Sequence, residues 1–169
     1  MQVRDERPDD FDAVRAINVA AFGQPAEARL VDALRSNCKT CLSLVAVGGD
    51  CVVGHILFTP VVVEGASSGE VGMGLAPLAV RPDRQRQGVG TALVNEGLAR
   101  LRQSGCPYVV VLGHPDYYPR FGFQPASAYG LRCEWDVPDH AFMVCVFHAE
   151  RIPTQGGLVR YRPEFIAAS

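Results

Sequence analysis

A mixed α/β (α+β) fold, with a mostly antiparallel central sheet and helices on both faces, is predicted by three features of the chain. Runs rich in β-branched residues fill 42–47, 52–63 and 71–80 and are separated by Gly/Asp and Gly/Ser turns. Apolar residues recur at helical spacing over 11–21 and 88–103. The run Tyr108-Val109-Val110-Val111-Leu112 is continuously apolar, as in a strand covered on both faces.

The elements follow in order. Met1 to Arg7 reads as an opening strand. Pro8-Asp9-Asp10 then offers a helix start, Phe11, Val14, Ile17 and Ala21 share one helical face, and Gly23 stops that helix. A second helix follows Pro25, with Leu30, Ala33 and Leu34 on one side. Leu42–Val47 and Val52–Val63 form a hairpin about Gly48-Gly49-Asp50, and a third strand, Val71–Val80, follows the turn Gly65-Ala66-Ser67-Ser68-Gly69. From Gly88 to Gln103, Val94, Leu98 and Leu101 form an apolar stripe, with Asn95, Arg100, Arg102 and Gln103 facing away and Gly105 as the stop. Strand, helix, strand implies a parallel crossover between Val71–Val80 and Tyr108–Leu112. A short helix near Asp116–Arg120 and two further strands, the second at Ala141–Phe147, complete the sequence.

Length and composition bound the function. A chain of 169 residues, 48% hydrophobic and 20% charged, is about one globular domain, here 1–169, with a sizeable core. Sixteen basic against eighteen acidic residues give a net charge of -2, and the absence of a long basic run argues against nucleic acid as a partner. The opening is too charged for a signal peptide, and no stretch of about 18 apolar residues occurs, so a cytoplasmic protein without a membrane partner is expected. Of six cysteines, Cys38 and Cys41 have the spacing of a redox pair or half a zinc site. Cys51, Cys106, Cys133 and Cys145 lie singly, so no metal is expected.

The chemistry concentrates between the third strand and the helix after it. There the chain reads Leu78-Ala79-Val80-Arg81-Pro82-Asp83-Arg84-Gln85-Arg86-Gln87-Gly88-Val89-Gly90-Thr91. Glycines at a helix N-terminus let a ligand approach amide N–H groups that lack helical partners, at the positive end of the helix dipole. That arrangement suits a phosphate or pyrophosphate. A P-loop would need Lys after Gly90, and a dinucleotide fingerprint would need a third glycine after Gly88-Val89-Gly90; both are missing.

Gln85-Arg86-Gln87-Gly88-Val89-Gly90 resembles the Gln/Arg-x-x-Gly-x-Gly/Ala signature of the GCN5-related N-acetyltransferase (GNAT) superfamily. Downstream, Tyr118-Pro119-Arg120-Phe121-Gly122-Phe123 resembles its Tyr-x-x-x-Gly-Phe element, with most likeness to the YhbS-like branch. The resemblance implies a sheet splayed at the cofactor site and acetyl-CoA (coenzyme A) as co-substrate. It further implies pantetheine pairing with the backbone of Leu78, Ala79 and Val80, and pyrophosphate held around Gln85, Arg86, Gln87, Gly88, Val89, Gly90 and Thr91. Tyr118 falls where the superfamily places its acid tyrosine, and a phenol of pKa about 10 stays protonated at neutral pH. The implied reaction is direct attack of an amine, small or protein-borne, on the thioester. His55, Glu70, His114 and Asp116 are candidate bases, with a water relay serving equally well. His114 stands where relatives often carry an acidic residue, which leaves the acceptor undefined. A non-catalytic acyl-CoA-binding module is the alternative, and monomer or homodimer remain open.

Overall fold

Asp10 joins the first strand to the first helix. Its carboxylate accepts two bonds from the Arg4 guanidinium, at 2.7 and 3.0 Å, and one from the Arg7 N–H at 2.8 Å. Arg4 holds this nearly buried carboxyl below its ordinary range, so it stays ionised at the start of a helix, where negative charge is favoured. The structure, a computed structural model, describes residues 1–67 and 69–168. Ser68 of the predicted 65–69 turn and Ser169 lie outside the described residues. The chain divides into two units, Met1–Phe58 with Ala76–Leu98 and Pro163–Ser169, and Thr59–Leu75 with Ala99–Arg162.

In the first unit, β1 (Gln2–Asp5) leads through a 3-10 turn, Pro8–Asp10, into α1 (Phe11–Phe22), and α2 (Ala26–Asn37) follows. β2 (Leu42–Gly48) pairs antiparallel with β1 and with β3 (Cys51–Val63). β4 (Val71–Val80) lies beside β3, and its last five residues belong here, as does α3 (Val89–Gln103) up to Leu98. A short α4 (Glu164–Ala168) ends the unit. The alternation of β3 sorts its neighbours. Leu57 joins Val14, Leu30, Val31, Leu34 and Val45 in one cluster with α1 and α2, while Gly54, on the opposite face, meets Val89 and Leu93 of α3. Helices therefore cover both faces of this strand. Burial of each such aliphatic side chain stabilises the unit by roughly 1.5–3 kcal/mol.

The second unit holds the outer ends of β3 and β4 and adds β5 (Tyr108–Leu112), β6 (Gln124–Pro125), β7 (Leu131–Arg132), β8 (Phe142–Val146) and β9 (Gly157–Arg160). β5 runs parallel to β4, as the intervening α3 requires, but only Met73–Leu75 of β4 pair with it, opposite Val109–Val111. β8 is antiparallel to all five residues of β5, and β6 pairs with the other edge of β8. β9 runs antiparallel to β3 and parallel to β7.

The mixed, mostly antiparallel sheet and its helices match expectation, with shifts at several ends. The opening strand is four residues rather than seven, α3 begins at Val89, and the helix expected at Asp116–Arg120 is a 3-10 turn over Tyr118–Phe121. β7, β9 and α4 were not anticipated. β9 carries only Leu158 and Val159 as apolar residues, so its strand character comes from pairing with β3 and β7 rather than from pattern. Among the described residues no helix is long and apolar enough to cross a membrane.

Under α1, His55 of β3 is fully buried. Its Nδ1 lies 3.3 Å from Asn18 Nδ2 and its Nε2 2.9 Å from Ser43 Oγ. Asn18 donates to Nδ1, so Nε2 carries the proton and donates to Ser43, whose hydroxyl donates on to Glu6 Oε1 at 3.1 Å. Burial, with a smaller contribution from Arg35, pushes the imidazole pKa from 6.5 down to about 3. The folded state thus binds fewer protons than the unfolded state between those values. The stability this neutral ring contributes is complete above pH 6.5 and is lost as pH falls toward 3. Denaturant unfolding measured from pH 7 to 4 should show His55→Gln flattening the pH dependence by up to about 1.4 kcal/mol per pH unit relative to wild type. Parallel profiles would mean that His55 is not buried in its neutral form.

Candidate functional site

The turn joining β4 to α3 is shaped by its own side chains. Arg81 N–H donates to Val53 O at 2.8 Å, continuing the register of β3 for one residue beyond β4. A 3-10 turn over Pro82–Arg84 then reverses the chain. Arg81 chelates Asp83 through Nε at 2.6 Å and Nη2 at 3.2 Å, and holds that carboxyl below its ordinary range. Gln85 Nε2 reaches back to Val80 O at 3.1 Å, and Gln87 Nε2 to Asp83 O at 3.2 Å. Both glutamine side chains therefore close the loop on itself. Arg84 packs its guanidinium over the β2–β3 turn, with Nη2 2.9 Å from where a Cβ on Gly48 would stand.

What this loop offers outward is backbone. Arg86 has φ 63 and Gly88 φ 84, two left-handed residues just before α3. Such alternation turns successive N–H groups into one concavity that favours an anion, and here it runs into the N-terminus of a fifteen-residue helix. The first helical bond closes from Ala92 N–H to Gly88 O at 3.0 Å, so the amides of Val89, Gly90 and Thr91 precede the helical ladder. Gln85, Arg86, Gln87 and Gly88 are all exposed, and the Arg86 guanidinium makes no bond among the described residues. Leu78, Ala79 and Val80 are the last three residues of β4, after the Ala76–Pro77 peptide, which is cis. Pro77 has no N–H to give a ladder.

The Tyr118 corner belongs to the second unit. Gly113 N–H bonds Ala141 O at 2.9 Å at the end of β5, and the chain then turns so that Tyr118 N–H meets His114 O at 3.4 Å. The Tyr118 ring packs against the Gly113 backbone: a Cβ at 113 would stand 2.5 Å from Cε2 and 3.0 Å from Cδ2. Tyr117 and Phe123 meet the ring edge-on at centroid distances of 5.1 and 5.6 Å. Tyr118 is only 9% exposed, and burial, followed by Tyr117, pushes its pKa up to about 12. The phenol is fully protonated near neutrality.

The candidate bases separate by environment. His55 has both ring nitrogens engaged in the core, and Glu70 is held by Arg151 Nε at 2.7 Å. His114 and Asp116 are exposed beside the Tyr118 turn. Gly54 escaped the reading of the sequence, and like Gly113 it is a contact point without a side chain. At Gly54 a Cβ would lie 2.8 Å from Val89 Cγ1 and 3.0 Å from Leu93 Cδ1, so α3 sits directly on β3 there. A glycine inside a strand pattern was the available signal. Among the described residues no three or more His, Cys, Asp or Glu side chains are grouped to hold a metal ion.

A model of the acetyltransferase (GNAT) domain matches residues 2–126. The chain is 39% identical over 166 residues to the uncharacterized N-acetyltransferase YhbS of Escherichia coli (strain K12), covering 98% of each. It is 41% identical over 133 residues to the uncharacterized N-acetyltransferase YjhQ of the same strain, covering 77% of this chain and 74% of that one. Of solved structures, Escherichia coli YhbS in complex with CoA aligns with a TM-score of 0.89 at 38% identity, over 98% of this chain and 91% of that one. A GNAT acetyltransferase from Brucella melitensis in complex with acetyl-CoA aligns at 0.80 and 37% identity, over 97% of each. The fold, the turn before α3 and these likenesses agree: the chain belongs to the GNAT family and is an N-acetyltransferase.

Proposed function

We propose that residues 1–169 act as one domain that moves an acetyl group from acetyl-CoA to an amine by direct attack on the thioester, with Tyr118 as general acid. The observation that carries the proposal is the left-handed Arg86–Gly88 turn opening onto the α3 N-terminus. Its backbone amides and the Arg86 guanidinium, which makes no bond among the described residues, fit a pyrophosphate, and two relatives just described are solved with CoA and acetyl-CoA. The thioester supplies an activated acyl group with a thiolate leaving group. Leu78, Ala79 and Val80 offer backbone groups to the pantetheine arm, and the amides from Arg86 to Thr91 take the pyrophosphate. The Leu78 N–H polarises the carbonyl on which an oxyanion develops. The amine nitrogen forms its bond to the carbonyl carbon, the carbon–sulfur bond breaks, and Tyr118 Oη gives its proton to the departing sulfur. Water carries away the proton that the amine loses. The absence of a recognisable Ser/His/Asp or Cys/His nucleophile supports direct transfer. The cytoplasmic location expected from the sequence is part of this reading.

Variants at three positions and the pH profile test it. Tyr118→Phe should lower kcat by roughly 10²–10⁴-fold with the KM for acetyl-CoA nearly unchanged, followed as free CoA thiol released across an amine panel; wild-type rates in the variant would remove Tyr118 from the chemistry. Because the phenol loses its proton only near pH 12, wild-type kcat should hold its alkaline plateau to about pH 10. CoA binding with no turnover on any amine would favour the non-catalytic module. At position 88, Ala must adopt φ 84 at a cost of about 1 kcal/mol, so Gly88→Ala should weaken CoA binding roughly fivefold by calorimetry. Gly88→Asn should weaken it less, because Asn tolerates the left-handed region. At the other corner, Gly113→Ala must displace the Tyr118 ring and should lower kcat while leaving CoA affinity intact.

A further inference from the structure

Cys38 and Cys41 take no part in the proposed reaction, yet they open onto the same cavity. It has a volume of about 120 Å³ and is lined by Cys38 and Cys41 together with Glu6, Arg35, Ser43 and Leu57. Cys38 caps the end of α2, its N–H bonded to Leu34 O at 2.8 Å, and its Sγ lies 3.7 Å from Thr40 Oγ1. The chain bends at Lys39 and Thr40, then enters β2 at Leu42. The bend brings a buried thiol and a half-buried thiol to one small space, with only two residues between them. The other cysteines do not line this cavity. Burial pushes the thiols of Cys106, Cys133 and Cys145 up, and Cys51 stands exposed at the start of β3.

We propose that Cys38 and Cys41 form a dithiol modification site that exchanges with a low-molecular-weight disulfide and closes to an intramolecular disulfide. Cys41 is the more exposed, so it reacts first. Its thiolate attacks one sulfur of the small disulfide, that S–S bond breaks, and one small thiol leaves with the proton given up by Cys41. The Cys38 sulfur then attacks the Cys41 sulfur of the mixed disulfide, and the second small thiol leaves with the proton from Cys38. The two cysteines are oxidised by two electrons in all, and the small disulfide is reduced to two thiols. Pairs of this spacing in a reducing compartment are characteristically transient or sensing rather than structural. Closure ties the last turn of α2 to the entry of β2.

The test uses full-length protein carrying Cys51→Ser, which removes the exposed competitor, incubated with oxidised glutathione and then blocked with an alkylating agent. Lys39 lies between the two cysteines, so trypsin separates them unless a disulfide joins the fragments. The expected result is a linked pair of fragments, one ending at Lys39 and one beginning at Thr40, that dithiothreitol separates. Cys38→Ser on the same background should trap glutathione on Cys41 as a stable mixed disulfide, because nothing resolves it. Alkylation of both Cys38 and Cys41 after incubation with oxidised glutathione, or a link from either of them to Cys106, Cys133 or Cys145, overturns the proposal. The wild-type pairing at these two positions is decided even if the Cys38→Ser variant fails to fold.

Discussion

The contact on which the candidate anion site depends is the seating of α3 on β3 at Gly54. With Val89 and Leu93 pressed against a bare backbone, the first turn of α3 cannot shift sideways or rise from the sheet without opening a void. Val89 is buried and its neighbour Gly88 is exposed, so one residue separates the packed part of the helix from the part facing solvent. A helix N-terminus binds anions through the direction of its amides as much as through its dipole, and that direction is set by packing beneath it. The short-range order of the loop follows from the same seat. Arg81 N–H is fixed to Val53, one residue before Gly54, so both ends of the turn are referenced to the same stretch of β3.

With the ends fixed, the side chains of the loop complete it. Arg81 is chelated by Asp83, Gln85 and Gln87 cap carbonyls of the turn itself, and Arg84 rests on the Gly48 turn. A sequence rich in Arg and Gln looks like a set of ligand-binding side chains, but most of these are engaged in holding backbone. The consequence for the proposed recognition is specific: main-chain N–H groups would meet the anion, and Arg86, whose guanidinium makes no bond among the described residues, would supply the charge. Preorganised amides also lose little freedom on binding, which is how a short, exposed loop can still hold a charged group.

What was legible in the sequence divides along the same line. The turn, α3 and β5 are local features: glycine placement, a 3.6-residue stripe and an unbroken apolar run declare themselves without a partner. The family signature is local too, which is why Gln85–Gly90 and Tyr118–Phe123 could be read directly. Gly54 was not, because its purpose lies in side chains that arrive from elsewhere, Val89 and Leu93 of α3. β9 and α4 were missed for a similar reason. Leu158 and Val159 are too few to make a pattern, and Phe165 gains its place only by packing against the cluster of α1 and α2. His55 shows both sides. Its residue type made it a candidate base, but the hydrogen-bonded path through Ser43 to Glu6 joins three segments that no periodicity connects.

That path also explains why a polar residue is tolerated at the centre of the unit. A buried imidazole costs little when both nitrogens are satisfied, and here Asn18 supplies a donor while Ser43 supplies an acceptor. Ser43 can accept from His55 only if its own proton goes elsewhere, and Glu6 takes it. Glu6 in turn pairs with Arg35, whose Nη2 lies 2.7 Å away and whose guanidinium also stacks 3.7 Å over Phe11. Each member is therefore oriented by the next, from a neutral ring in the interior to an ion pair at the edge. Such a chain is satisfied only as a whole. It links the end of β1 with α1, α2, β2 and β3, the strand on which α3 sits, and so the polarity of a single core histidine bears on the platform from which the candidate anion-binding turn projects.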